Sequence, residues 1–197
     1  MQIETIQLGA YCTNCYIVWG EGTDGCILID PGDGPELVLR KLDRLGKRPE
    51  AIFITHGHFD HVGGVQYLAE KTGCRVYICK EDLTLPAMLR GGVLYYTDTY
   101  AQGDEVTHAG LTFQVMQTPG HSAGSVCLIC EDVIFSGDTL FAGSCGRTDF
   151  PGSNPEAMKN SLARLAGLTG DYRVFPGHGE ETTLNAERRS NPYMYSL

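Results

Sequence analysis

The stretch "THGHFDHVGG", Thr55 to Gly64, places His56, His58, Asp60 and His61 within six residues. The chain has only six histidines, so half of them sit in this one loop. Three imidazoles and a carboxylate held this close would destabilise a fold if desolvated without a cation among them. The cluster therefore constrains the architecture more than any other feature: the chain must fold around a metal-binding rim. A lone histidine is more often a satisfied core or capping group. His108, in the turn-like "VTHAGL", is read as an ordinary surface residue.

The other ligand types obey one rule of placement. The apolar segment "EAIFIT" runs into His56, "FQVMQTPG" into His121, "DVIFSG" into Asp138 and "YRVFPG" into His178. Each has the short apolar run of a buried strand. Four strands that each stop at a ligand gather those ligands at one edge if they pack side by side. Imidazole and carboxylate together suit zinc, iron or manganese. Five histidines and two aspartates exceed the needs of one tetrahedral ion and match two ions sharing a carboxylate and a water. The expected cofactor is a pair of divalent metal ions, zinc first, with iron and manganese as alternatives. His56 and His58, two apart in an extended loop, point the same way and can reach one ion. Asp60 and His61 fall where a helix begins and turn toward a second.

Between these points the chain alternates strands and helices. "NCYIVW" and "CILID" are strands joined by the turn "GEGTDG". "PELVLRKLDRLG" is a helix stopped by Gly46, and "HVGGVQYLAEKTG" resumes helical spacing through Val62, Val65, Leu68 and Ala69. "NPEAMKNSLARLAGL" is a helix with Asn154 as cap, Pro155 in the first turn and a stripe of Met158, Leu162 and Leu165. Residues 81–105 lack a clean period and read as a short helix followed by a surface loop bordering a site. Strands in two blocks, each followed by helices, predict an α/β fold of two sheets packed face to face with helices outside. The expectation is a single domain over residues 1–197.

Composition excludes several partners. A net charge of −9 repels phosphate backbones, so no nucleic acid is expected. No apolar run approaches the length of a membrane span. The start "MQIETIQLGAY" lacks the basic and apolar regions of a secretory signal, so the expected location is cytoplasmic. Two of the cysteine pairs, "CTNC" and "CLIC", have metal-like spacing. On a strand, residues three apart face opposite sides, so Cys127 and Cys130 cannot share an ion. Both pairs are read as buried, reduced thiols.

"THGHFDH", followed in order by "TPGH", "SGDTLF" and "FPGHG", resembles the metallo-β-lactamase superfamily, over nearly the whole chain from "NCYIV" to "NPY". The resemblance implies a four-layer αββα sandwich with metals at one rim. It implies His56, His58 and His121 on a first metal, Asp60, His61 and His178 on a second, and Asp138 bridging them. Asp30, in "LIDPGDG", is implied as the group behind the ligands that orients them. Aspartate at 138, where one class of β-lactamases carries cysteine, is similar to the glyoxalase II group.

The segment "LFAGSCGRTDFPGS" resembles the loop by which that group and its short bacterial relatives bind the thiol carrier, here through Arg147. The long glyoxalase II enzymes add a C-terminal helical domain contacting glutathione, which this sequence is not expected to contain. They place an aromatic residue where this chain has Asp149. What the resemblance implies is a thioester hydrolase acting on a small acyl-thiol. A water shared by two ions loses its proton, attacks the acyl carbon, and is oriented by Asp60. Two other readings stand beside it. One is a persulfide dioxygenase with a single iron on His56, His121 and Asp138; the other is a non-catalytic metal or metabolite sensor. Oligomeric state is left open.

Overall fold

The structure is a computed structural model and describes residues 1–195. The first half of the chain builds a six-stranded sheet in sequence order. Its strands are β1 (Gln2–Leu8), β2 (Thr13–Trp19), β3 (Gly25–Ile29), β4 (Arg48–Phe53), β5 (Arg75–Cys79) and β6 (Asp98–Tyr100). β1, β2 and β3 pair antiparallel; β3 through β6 pair parallel. Parallel neighbours need crossovers. These carry α1 (Pro35–Leu45), then α2 (Phe59–Val62) with α3 (Val65–Thr72), then α4 (Ala87–Arg90).

The second half builds another six-stranded sheet from β7 (Glu105–His108), β8 (Leu111–Gln117), β9 (Val126–Cys130), β10 (Val133–Gly137), β13 (Arg173–Pro176) and β14 (Thr182–Thr183). A small ribbon of β11 (Leu140–Phe141) and β12 (Ser144–Cys145) stands apart from it. The helices of this half are α5 (Pro155–Ala166), α6 (Leu184–Ser190) and α7 (Pro192–Tyr195).

Side-chain alternation along the strands produces the layers. On β2, Tyr16 and Val18 face the other sheet, while Cys15 and Ile17 face the helices. On β10, Val133 and Phe135 face the first sheet and Ile134 faces the second half's helices. Between the sheets, Phe53 and Phe113 pack edge to face at 5.3 Å, and Phe113 meets Phe135 at 6.1 Å. Outside the first sheet lie Val38 and Leu42 of α1 with Val65 and Leu68 of α3. Outside the second lie Met158, Leu162 and Leu165 of α5. Full burial of such a side chain stabilises by about 1.5–3 kcal/mol. Three apolar interfaces in series make four layers, the αββα sandwich that the resemblance implied. Asn154 caps α5 as expected, its Oδ1 accepting from Ala157 N at 3.0 Å.

Strand direction gathers the C-terminal ends. β8 and β10 are each antiparallel to β9, and β13 is parallel to β10, so all three run the same way. β3 and β4 run together in the first sheet. The two rims are tied by Val126 N donating to Thr55 O at 2.9 Å and Asn14 N to Gly177 O at 2.8 Å. Asn14 Nδ2 adds bonds to Pro176 O and Gly179 O, both at 3.0 Å.

Several expectations need correction. The helical run after His61 is broken at Gly63 and Gly64 into α2 and α3. The loop after β3 presses there: a Cβ at Gly64 would lie 2.6 Å from Pro31 O, and one at Gly63 would strike Gly32 O. β1, β6 and β7 are strands the sequence reading did not mark, because they are polar at exposed positions or only three residues long. The segment 81–105 is therefore less of a loop than expected. His108 is half-buried rather than on the surface; its Nε2 is 3.1 Å from Tyr77 Oη and its Nδ1 3.7 Å from Glu50 Oε2. Cys15, Cys127 and Cys130 are buried as read, Cys127 in the outer core and Cys130 between the sheets, but Cys12 is exposed, because it sits in the turn between β1 and β2. Among the described residues, no helix is long and apolar enough to cross a membrane.

Candidate metal centre

Each ligand-type residue sits just past a strand end: Asp30 after β3, His56 after β4, His121 after β8, Asp138 after β10 and His178 after β13. The shared strand direction brings them to one rim. Two compact donor sets with no residue in common result, alongside a third, Asp30 with His56 and His61, that overlaps both. His56, His58 and His121 form one; Asp60, His61 and His178 form the other, the atoms of each lying within 4.8 Å of one another. Asp138 lies between them. Its Oδ2 is 3.4 Å from His121 Nε2, and its Oδ1 is 3.5 Å from His61 Nε2. Oδ2 is also 3.7 Å from His178 Nε2.

The outer nitrogens of four imidazoles are engaged. His61 Nδ1 lies 2.9 Å from Asp30 Oδ2, and His121 Nδ1 2.8 Å from Arg147 O. His178 Nδ1 lies 3.1 Å from Tyr11 O, and His56 Nδ1 3.2 Å from Thr55 Oγ1. An imidazole held by one nitrogen offers the other to a metal. His58 differs: its Nδ1 lies 2.8 Å from His121 Nε2, inside the first set. Buried His56 Nε2, His58 Nε2 and Asp138 Oδ1 have no hydrogen-bond partner. Orphaned buried polar atoms cost about 1–3 kcal/mol each. Cations at this rim would satisfy them, so the donor set fits divalent metal.

The charge states of the two sets diverge. Burial, then the neighbouring imidazoles, pushes His56 well below its ordinary value; the same causes take His58 down to about 3. For His61, burial acts downward but is outweighed by Asp138, Asp30 and Asp60, and the group rises to about 9. His178 also rises, because the Asp60 hydrogen bond and the Asp138 charge outweigh burial. Burial pushes Asp60 up, yet the bond to His178 and the charges of His61 and His178 hold it below the usual carboxylate range. His56 and His58 thus offer free lone pairs near neutral pH, while His61 holds a proton that a cation must displace.

Asp30 is buried with φ of 50°, a left-handed conformation that aspartate tolerates. Its Oδ1 accepts from Thr55 N at 2.8 Å; its Oδ2 accepts from Thr55 Oγ1 at 2.6 Å and faces His61. Arg147, the residue expected to hold the thiol carrier, lines the cavity on the metal side. Its side chain is exposed, donates to Asp149 at 2.6 and 2.7 Å, and lies over the Phe150 ring at 4.2 Å. Its carbonyl, not its charge, reaches the metal centre by holding His121.

Sequence reasoning missed Asp82. This fully buried carboxylate accepts from Gly57 N at 2.7 Å, Ser122 Oγ at 2.9 Å and Gly124 N at 2.6 Å. Gly57 lies between His56 and His58, and Ser122 follows His121. One side chain therefore ties together the two loops that carry the first donor set. Burial raises its pKa against those three hydrogen bonds. Two of its partners are backbone N–H groups, which leave no mark in a sequence.

In front of the metal side opens a cavity of about 430 Å³ walled by Tyr11, Phe59, Leu89, Phe141, Cys145, Arg147 and Phe150. Its floor includes His58, Asp60, His121, Asp138 and His178. An apolar-walled cavity with a few convergent polar groups is the usual form of a small-molecule site.

Comparison with known proteins agrees with this architecture. The chain is 32% identical to hydroxyacylglutathione hydrolase GloC of Haemophilus influenzae, over the whole chain and 99% of that protein. It is 38% identical to a hydroxyacylglutathione hydrolase of Idiomarina loihiensis, over 82% of this chain and 59% of that one. Among solved structures, the B3 metallo-beta-lactamase BLEG-1 superposes with a TM-score of 0.89 at 32% identity, covering 98% and 99% of the two chains. TTHA1623, in a di-iron-bound form, gives 0.83 at 41% identity, covering 96% and 99%. ETHE1 from Myxococcus xanthus gives 0.86 at 29%, covering 98% and 84%. The metallo-beta-lactamase superfamily pattern matches residues 9–178, the span from the loop before β2 to the last histidine of the rim; the chain belongs to the metallo-beta-lactamase superfamily.

Proposed function

We propose that this protein is a metal-dependent hydrolase of small acyl-thiol thioesters, of the hydroxyacylglutathione hydrolase type. The observation that carries this reading is the position of Asp138, within 3.4–3.7 Å of imidazoles from both donor sets, beneath a cavity with apolar walls. His56, His58 and His121 would hold one divalent cation, Asp60, His61 and His178 a second, with Asp138 shared. Zinc, iron and manganese all suit such ligands, and the di-iron relative keeps iron in view beside zinc. Bound there, the cations would supply the Lewis acidity that brings a water's pKa toward about 7 and draws charge from the thioester carbonyl.

The chain's own groups do the rest. Asp60 orients the attacking water, and its carboxylate is steadied by Thr13 Oγ1, which donates to Oδ2 at 3.2 Å. Phe59, Phe141 and Phe150 hold the acyl chain and keep bulk water from the carbonyl. Arg147 takes a substrate carboxylate by exchanging it for Asp149. That pair is fully exposed and screened by solvent, so the exchange is inexpensive. A thiolate leaves readily, and no strong acid is needed on the wall. Eight free cysteines suit a reducing compartment, which supports a cytoplasmic location.

Metal-loaded protein should turn over S-lactoylglutathione, and a chelator should stop it. No turnover of any member of a thioester panel by fully metallated protein removes the proposal. The likeness to ETHE1 favours a second reading, a persulfide dioxygenase with one iron on His56, His121 and Asp138. Oxygen uptake with glutathione persulfide at one iron per chain would establish it. Tight metal with neither activity would leave a sensor.

A further inference from the structure

Tyr11 and Phe59 meet edge to face, with ring centroids 5.2 Å apart. Together with Asp60 they line the metal-side cavity on one side and a second pocket on the other. This second pocket holds about 350 Å³, between the loop after β1, the Gly32–Asp33 turn and the end of α4. Arg90 and Asp33 both line it.

The Arg90 guanidinium is under-used. Its Nε is buried with no partner, and its Nη1 reaches only Leu83 O, at 3.4 Å. No carboxylate among the described residues pairs with it. A guanidinium has five donors in a fork that matches a carboxylate, and leaving a buried donor unmatched is unfavourable. Asp33 supplies the opposite charge. Its Oδ1 accepts from Gly34 N at 2.6 Å, while its Oδ2 lies against Gly9, where a Cβ would come within 2.6 Å. The two groups share the pocket without pairing with each other.

We propose that this pocket binds the zwitterionic α-amino-acid end of the substrate's thiol carrier, Arg90 taking its carboxylate and Asp33 its ammonium. The thioester then lies across Phe59 at the metal side. This rests on the thioesterase reading and narrows it. The carrier is an amino-acid or short-peptide thiol, not a phosphorylated one, because the Asp33 carboxylate would repel a phosphate dianion that Arg90 alone cannot neutralise.

The test is calorimetric binding of S-methylglutathione, an uncleavable thioether, to the metal-loaded full chain. Arg90→Ala should weaken it roughly tenfold to a hundredfold, the loss expected for a charge-assisted hydrogen bond. Asp33→Asn should weaken it too, yet leave N-acetyl-S-methylglutathione unaffected. On the unaltered protein, N-acetylation alone should reduce affinity, a readout that needs no variant. Thioester turnover with all these affinities within twofold of one another overturns the pocket and spares the hydrolase. The predicted binding pattern without any thioester turnover supports the pocket and overturns the hydrolase.

Discussion

Asp30→Ala isolates the contribution of a residue that touches a ligand without being assigned as one. The substitution removes the acceptor for Thr55 N at 2.8 Å, Thr55 Oγ1 at 2.6 Å and His61 Nδ1 at 2.9 Å, all buried. The Thr55 hydroxyl can turn toward His56 Nδ1, 3.2 Å away. The Thr55 N–H has no such recourse, and stranding it should cost about 1–3 kcal/mol of stability. His61 loses the bond that fixes which nitrogen faces the centre. Loss of such an orienting partner lowers metal affinity by roughly 10–100-fold. The effect should be selective, because His121 is oriented by Arg147 O, far from Asp30 in the chain. Urea unfolding of metal-free protein reads the first quantity, and competition with a graded chelator reads the second. The variant should lose one metal early and keep the other near its original affinity. Equal loss of both metals, or no loss of either with an unchanged urea midpoint, refutes the reasoning.

Asp82→Ala should act on the opposite donor set, loosening the loops of His56, His58 and His121 and weakening the first-site metal while Asp60, His61 and His178 keep theirs; the same chelator competition distinguishes the two variants. Gly32→Ala drives a Cβ into Asp60 O, so metal content measured by elemental analysis should fall even though residue 32 is itself no ligand. In metal-free protein, His61 rises to about 9 from 6.5, so its contribution to folding is full below pH 6.5 and is lost as pH passes 9. His58, down to about 3, does the reverse, withdrawing stability as pH falls from 6.5 toward 3. Urea midpoints across that range should therefore form a dome, and metal uptake at pH 7 should release protons mainly from the second set. A flat profile contradicts both shifts, and uptake without proton release contradicts that of His61.

Much of this was legible because it is local. A short apolar run ending in histidine or aspartate is written in consecutive residues, and so is the capped helix from Pro155 to Ala166. The strands that escaped notice, β1, β6 and β7, are stabilised by their neighbours in the sheet rather than by their own apolar pattern. The break between α2 and α3 was likewise invisible, since it answers to backbone pressed on it from the turn at Pro31 and Gly32. His108 looked exposed because its partners, Tyr77 and Glu50, belong to strands far away in the chain.

The amino-acid order alone determined which residue types could meet a cation and which strands would deliver them, because side-chain chemistry and strand period are properties of neighbours in the chain. Only the folded chain decided that Asp138 stands between two donor sets and that Asp82 clamps two loops. It also decided that Arg147 serves the centre through its carbonyl and that Arg90 keeps an unmatched donor beside the cavity. Those facts depend on backbone groups and on distances across tens of residues. The backbone is the same at nearly every position, so no string of side chains records where its N–H and C=O groups will be used.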